Sequence, residues 1–194
     1  MYKKIIIIPA FFLLTHVLYI GCCKCVEAKD HFYVINNLTV NSFGSGRAII
    51  DTGLVTNVDS VYLNYNLITD CVASNKNPFA SLVNSTYACK CNECGGSGLK
   101  SKIVSIEITS DSIYNGIAAN TPLNDIFKLK WYNNTVIPID SFKHEMNETL
   151  ARIFSMQLFT TTKPGNNKGH VFKLRILFTD GREVSVSSKR IYWI

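Results

Sequence analysis

Apolar and polar residues alternate strictly in two stretches of the chain, with Val61, Leu63, Tyr65 and Leu67 in one and Phe172, Leu174, Ile176 and Phe178 in the other. A period of two places every apolar member on one face of an extended strand, whereas a helix would scatter them around its circumference. The same vocabulary of Val, Ile, Thr and aromatics, bounded by Gly, Pro, Asn or Asp, recurs at Tyr33 to Val40, Val58 to Thr69, Ile103 to Thr109, Ile126 to Tyr132, Thr135 to Ile139, Ile153 to Thr161, Val171 to Phe178 and Glu183 to Ile194. Asp180-Gly181 predicts a hairpin with a type I′ turn, and Asn133-Asn134 a second of the same kind. Helical spacing is confined to Leu123 to Ile126 and to Glu145 to Arg152, where Met146, Leu150 and Ile153 recur. These signals predict a mainly β chain, an antiparallel β-sandwich-like domain with one or two short helices.

The first thirty residues are of another kind. Lys3 and Lys4 precede an apolar run from Ile5 through Ile20, interrupted only at Pro9, Thr15 and His16, which ends at Gly21-Cys22. A basic start, an apolar run of this length and a small residue at its end describe an export signal; a spanning helix needs about 20 predominantly apolar residues. Gly21-Cys22 resembles a bacterial lipobox, in which the cysteine is lipidated on sulfur and becomes the new N-terminus, although Tyr19 stands where an aliphatic residue is usual. The expected organisation is therefore a signal peptide at residues 1–21, a lipidated tether at 22–30 and a single β-rich domain at 31–194. An ordinary cleavage region followed by disulfide cysteines is the competing reading of Gly21-Cys22-Cys23-Lys24-Cys25. Loss of the signal lowers the formal charge from +6 to +4, too dilute and unclustered for a nucleic-acid footprint.

Seven cysteines are present, and assigning Cys22 to a lipid leaves an even six. Cys71, Cys89, Cys91 and Cys94 fall in one stretch and are expected to form two disulfides that staple a long loop. Cys91-Asn92-Glu93-Cys94-Gly95-Gly96-Ser97-Gly98 has the form of half a zinc site, but tetrahedral structural zinc takes four ligands and an oxidising compartment favours disulfides. A redox C-x-x-C would open a helix, which the following glycines do not favour. No metal or other cofactor is expected.

His31, His144 and His170 stand far apart in sequence, and none lies in a metalloprotease motif. Neither Gly44-Ser45-Gly46 nor Gly96-Ser97-Gly98 makes a nucleophile elbow, and no phosphate loop or dinucleotide fingerprint occurs. Four sequons, at Asn37, Asn84, Asn133 and Asn147, matter only if the chain passes through a glycosylating secretory route. Two aromatic pairs, Trp131-Tyr132 and Tyr192-Trp193, lie within strand-like segments where neighbours point to opposite faces, so one member of each leaves the core. Trp131 and Trp193 are accordingly the candidate binding surface, expected on one common patch.

The segments Ile103-Val104-Ser105-Ile106-Glu107-Ile108-Thr109-Ser110-Asp111 and Thr121-Pro122-Leu123-Asn124-Asp125-Ile126-Phe127, with the Cys22 region and the closing Asp180-Gly181 hairpin, resemble a group of Bacteroidetes lipoproteins without an assigned activity. Asn120 departs from that pattern, which has glycine there. The resemblance implies an envelope location, most simply the outer membrane, and a lipid on Cys22; it supplies no catalytic residue. The expected function is a non-enzymatic envelope lipoprotein that binds a protein or glycan partner and not nucleic acid. The alternatives are an exported hydrolase of envelope or host polymers, and a eukaryotic secreted glycoprotein.

Overall fold

A computed structural model describes residues 31–44, 54–55, 60–73, 95–166 and 168–193. The signal segment, Cys22, the tether, and Cys89, Cys91 and Cys94 lie outside the described residues. The elements run β1 (His31–Gly44), β2 (Leu54–Val55), β3 (Val61–Ala73), β4 (Ile103–Ser110), β5 (Lys128–Lys130), β6 (Val136–Pro138), α1 (Ile139–Glu148), β7 (Ser155–Thr160), β8 (Phe172–Phe178), β9 (Glu183–Ser187) and β10 (Tyr192–Trp193). Two antiparallel sheets carry the fold, one in the order β1-β3-β7-β5-β6 and one in the order β4-β8-β9. Among the described residues α1 is the one α-helix, and none is long and apolar enough to cross a membrane.

The alternation read from sequence sets which side faces inward. Val61, Leu63, Tyr65 and Leu67 of β3 and Phe172, Leu174, Ile176 and Phe178 of β8 are buried in one shared core, between the sheets. In β1 the phase slips: Tyr33 and Ile35 point inward, a bulge intervenes between Ile35 and Asn37, and Leu38 takes up the inward role. The extra residue is what restores an apolar residue to the core face, since otherwise Leu38 would turn to solvent.

Both hairpins are present, with turns that differ from expectation. Three residues separate the paired Phe178 and Arg182, and only Gly181 has positive φ, 81°. This is a type I turn closed by a left-handed glycine, and it leaves Asp180 in ordinary backbone space where type I′ would not. Asn133 and Asn134 do both adopt positive φ, 56° and 63°, but within a three-residue loop closed by the Trp131 amide donating to Thr135 O at 2.7 Å.

The second expected helix is displaced. It spans Ile139–Glu148 rather than Glu145 to Arg152, because Pro138 ends the short edge strand and its φ of −61° leads into a helix whose buried face is Ile139, Phe142 and Met146. Thr149 turns extended and Leu150 is left exposed, so the expected Leu150 contact does not form. The first expected helix, Leu123 to Ile126, is a single turn in which the Ile126 and Phe127 amides donate to Leu123 O. The last expected strand is split: Ser188 accepts from the Phe172 amide and donates to Lys189 O, ending β9, and β10 pairs in parallel with β2 instead.

Strand β4 is an edge strand whose free side is sealed by side chains and loop. Asn147 on α1 accepts from the Ile103 amide at 2.7 Å and donates to the Ile103 carbonyl at 2.9 Å. Asn124 accepts from the Ile108 amide at 3.1 Å and donates to Ile106 O at 2.8 Å, while the Leu123 and Asn120 amides reach Ile108 O and Ser110 O. An amide side chain carries the same donor and acceptor as a peptide, so two asparagines stand in for a missing strand.

Candidate functional site

The structure separates the two tryptophans. Trp193 is buried at 7% exposure among Tyr114, His170 and Phe172, with ring centroids 6.3, 5.7 and 6.2 Å away, so it contributes to the core and not to a surface patch. Trp131 is half-buried and meets Phe142 edge-on at 5.0 Å. Cys71, exposed on β3, is disulfide-bonded, and every other cysteine lies outside the described residues, as does the expected four-cysteine arrangement. The Gly95 to Gly98 turn beyond it docks on β1, with the Tyr33 amide donating to Gly98 O at 3.0 Å. Of the sequons, Asn133 is exposed at a hairpin tip, Asn37 is exposed and accepts from the Leu38 amide, Asn147 commits both ends of its amide to Ile103, and Asn84 is outside the described residues.

A buried polar node surrounds His170, a histidine that belongs to no sequence motif. His170 Nδ1 lies 2.9 Å from Ser110 Oγ, and Nε2 lies 3.2 Å from Asn166 Oδ1. Asn166 Nδ2 donates to Ile113 O, so its oxygen faces the ring and the imidazole carries its proton on Nε2. Nδ1 then accepts from the Ser110 hydroxyl, whose oxygen in turn accepts from the Ser112 amide at 3.2 Å. Burial lowers the His170 pKa, the Asp111 carboxylate offsets part of that, and Arg190 adds to it. Burial also pushes Asp111 upward, but the Val171 amide, the Arg190 guanidinium and the Ser112 hydroxyl together hold its carboxyl below the usual range. The pair has the chemistry of a nucleophile and base, yet Ser110 is 2% and His170 0% exposed. Tyr114, Phe172 and Trp193 close around the imidazole, leaving no place for a substrate carbonyl. The node is a satisfied structural histidine.

An open concavity among the described residues lies elsewhere. A groove of about 290 Å³ is lined by Lys130, Trp131, Arg152, Ile153, Phe154 and Ser155. Arg152 is fixed by two hydrogen bonds to Thr69, at 2.6 and 2.7 Å, and its guanidinium covers the exposed Phe154 ring at 4.7 Å. The lining combines aromatic surface with cationic groups, and it includes neither an imidazole nor a carboxylate.

This groove opens onto the outward face of the five-stranded sheet, and the register brings unlike residues into rows there. Phe43, Tyr62, Phe159 and Lys128 are successive cross-strand neighbours on β1, β3, β7 and β5; Asn41, Asn64, Gln157 and Lys130 form the row beside them. Tyr62 and Phe159 stack at 5.6 Å. The outward face of the other sheet is different, for there Arg175 is compensated by Glu107 at 3.9 Å and Glu183 at 3.2 Å.

No known protein family, curated protein or solved structure matches this chain. Among the described residues no group of three or more His, Cys, Asp and Glu converges as a metal site would require.

Proposed function

We propose that this chain is an envelope lipoprotein held to a bacterial membrane by a lipid on Cys22, most simply at the outer membrane, with its β domain serving as a non-enzymatic binding module. The observation that carries the binding half is a contrast of accessibility. The nucleophile and base in contact, Ser110 and His170, are sealed, whereas the accessible groove is built from Trp131, Phe154, Lys130 and Arg152. Aromatic rings and cations hold a ligand through stacking and charge, and a hydrolase needs in addition a group that moves a proton. The lipid half is supported by the sequence Gly21-Cys22 after an apolar segment of signal length. Two acyl signals at one residue would make attachment effectively permanent, since one chain alone binds only marginally.

Metabolic labelling with radioactive palmitate in a bacterial host tests the anchor. Wild type takes up label and partitions with membranes; Cys22→Ala takes up none. Equal labelling of the two would end the lipid assignment. Acrylamide quenching tests the groove, because of the two tryptophans Trp131 is half-exposed and Trp193 is buried. A bound partner shields the quenchable component, and Trp131→Phe removes that response; shielding that persists in the variant would relocate the site.

A further inference from the structure

We infer that the outward face of the five-stranded sheet is a binding surface for an acidic polysaccharide, a chain of sugars bearing carboxylates. The inference rests on the binding-module reading and names its ligand class. Three features of the face carry it. Phe43, Tyr62 and Phe159 make an apolar strip across three strands, suited to the C–H faces of pyranose rings, which pack against aromatic surface. Asn64 and Gln157, side by side in the next row, offer the paired donor and acceptor that vicinal hydroxyls need. At the β5 end stand Lys128 and Lys130, and among the described residues neither enters an ion pair.

Charge decides between occupants. Along β1, β3, β7, β5 and β6 the sole carboxylate is Asp70, on β3 well beyond Asn66 and already bonded by Asn36. The strands of this face thus supply no carboxylate to compensate Lys128 and Lys130, and the face is positive at the end where Lys130 lines the groove. The opposite sheet shows what a merely solvated β face looks like in this protein, with Arg175 held between two glutamates. Two lysines are too few for nucleic acid, which carries a negative charge about every 1.7 Å of duplex axis. A protein partner would be expected to meet an apolar, charge-depleted centre. Within each row, neighbours are spaced by the strand separation of about 4.8 Å and the row extends across four strands, so the surface accommodates an extended polymer rather than a single small anion.

The test is affinity electrophoresis of the purified full-length protein in gels containing polygalacturonate, alginate or hyaluronate, with fully methyl-esterified polygalacturonate as the neutral counterpart. At least one acidic polymer retards the protein, the ester does not match it, and added salt weakens the effect. Lys128→Gln with Lys130→Gln lowers the affinity about three- to tenfold, and Gln157→Ala lowers it about fivefold. Lys173→Gln, exposed on the other sheet, leaves it unchanged. Thermal melts of each variant establish that folding is intact. Absence of retardation by all three acidic polymers overturns the inference, as does retardation that the double lysine variant keeps in full. Lysine-dependent binding to phosphatidylglycerol vesicles without polymer binding also overturns it and gives the face to a lipid surface. Palmitate labelling is read separately, so the anchor and the ligand can fail independently. Release of new reducing ends from a retarding polymer would keep this surface and overturn the non-enzymatic reading.

Discussion

Replacing Asn147 by alanine strips the Ile103 end of β4 of both its edge partners at once. The Ile103 amide loses an acceptor at 2.7 Å and its carbonyl loses a donor at 2.9 Å, at a residue only 3% exposed. A hydrogen bond contributes about 1 kcal/mol net, and a buried group left unpaired costs about 1–3 kcal/mol. Water reaches this edge in part, which places the loss at about 2–3 kcal/mol, against about 0.5 kcal/mol or less for an ordinary surface change. For a domain of this size the melting temperature should fall by about 5–10 °C. Asn147→Asp separates the two bonds. The carboxylate keeps the acceptor for the amide but turns a second acceptor toward the Ile103 carbonyl, so at neutral pH it should be no better than alanine. Desolvation and that carbonyl raise the new carboxyl's folded pKa, so protonation is favoured in the folded state. As pH falls from that raised value toward about 4, the aspartate variant should gain on the alanine variant as its protonated carboxyl begins to donate. Calorimetry across pH, with hydrogen exchange at the Ile103 amide, reads both effects. An alanine variant melting within about 1 °C of wild type, with Ile103 still protected, would show that the asparagine does not seal the edge.

The His170 node predicts an acid-sensitive stability. The folded pKa lies below the ordinary value of about 6.5, so the contribution is fully present above that value and is lost as pH falls from it toward the folded pKa. Denaturant melts between pH 7.5 and 5 should show that slope in wild type and lack it in His170→Gln; identical slopes would refute the assignment. The Tyr65 hydroxyl is fully buried and meets no hydrogen-bond partner among the described residues, and its burial raises the phenol pKa. Tyr65→Phe should therefore be neutral or stabilising by up to about 1 kcal/mol, and a loss of that size in chemical denaturation would reveal a hidden partner.

Much of the fold was legible because burial follows chain-local patterns. The inward residues of β3 and β8 could be read from alternation alone, and Asp180-Gly181 marked its hairpin although not its turn type. The sequence places the helix late because Met146, Leu150 and Ile153 share a period with the true face of Ile139, Phe142 and Met146, and only Pro138 marks where the run begins. Trp193 is a surface candidate by sequence because period two makes one of Tyr192 and Trp193 face outward without saying which; the structure exposes Tyr192 and buries Trp193. The candidate site was illegible for another reason. The rows from Phe43 to Lys128 and from Asn41 to Lys130 exist only through the cross-strand register, which joins residues distant in sequence. The nearest local signal was the polar set Tyr62, Asn64 and Asn66, whose amides depart from the charged residues common on a solvated strand face. Ser110 and His170 met for the same nonlocal reason, and neither carries a motif.

The order β1-β3-β7-β5-β6 also governs when the protein can fold. Val61 on β3 finds its partner Thr160 on β7 about half the chain later, and the smaller sheet waits longer, for β8 and β9. A nascent chain holding only β1 and β3 is a two-stranded ribbon with its inner face bare, below what a stable unit requires. Pairings of this range are slow to form, so an emerging chain stays extended for most of its synthesis. Completion of β9 brings that interval to a close, because it gives the last strand of the smaller sheet its partner in β8.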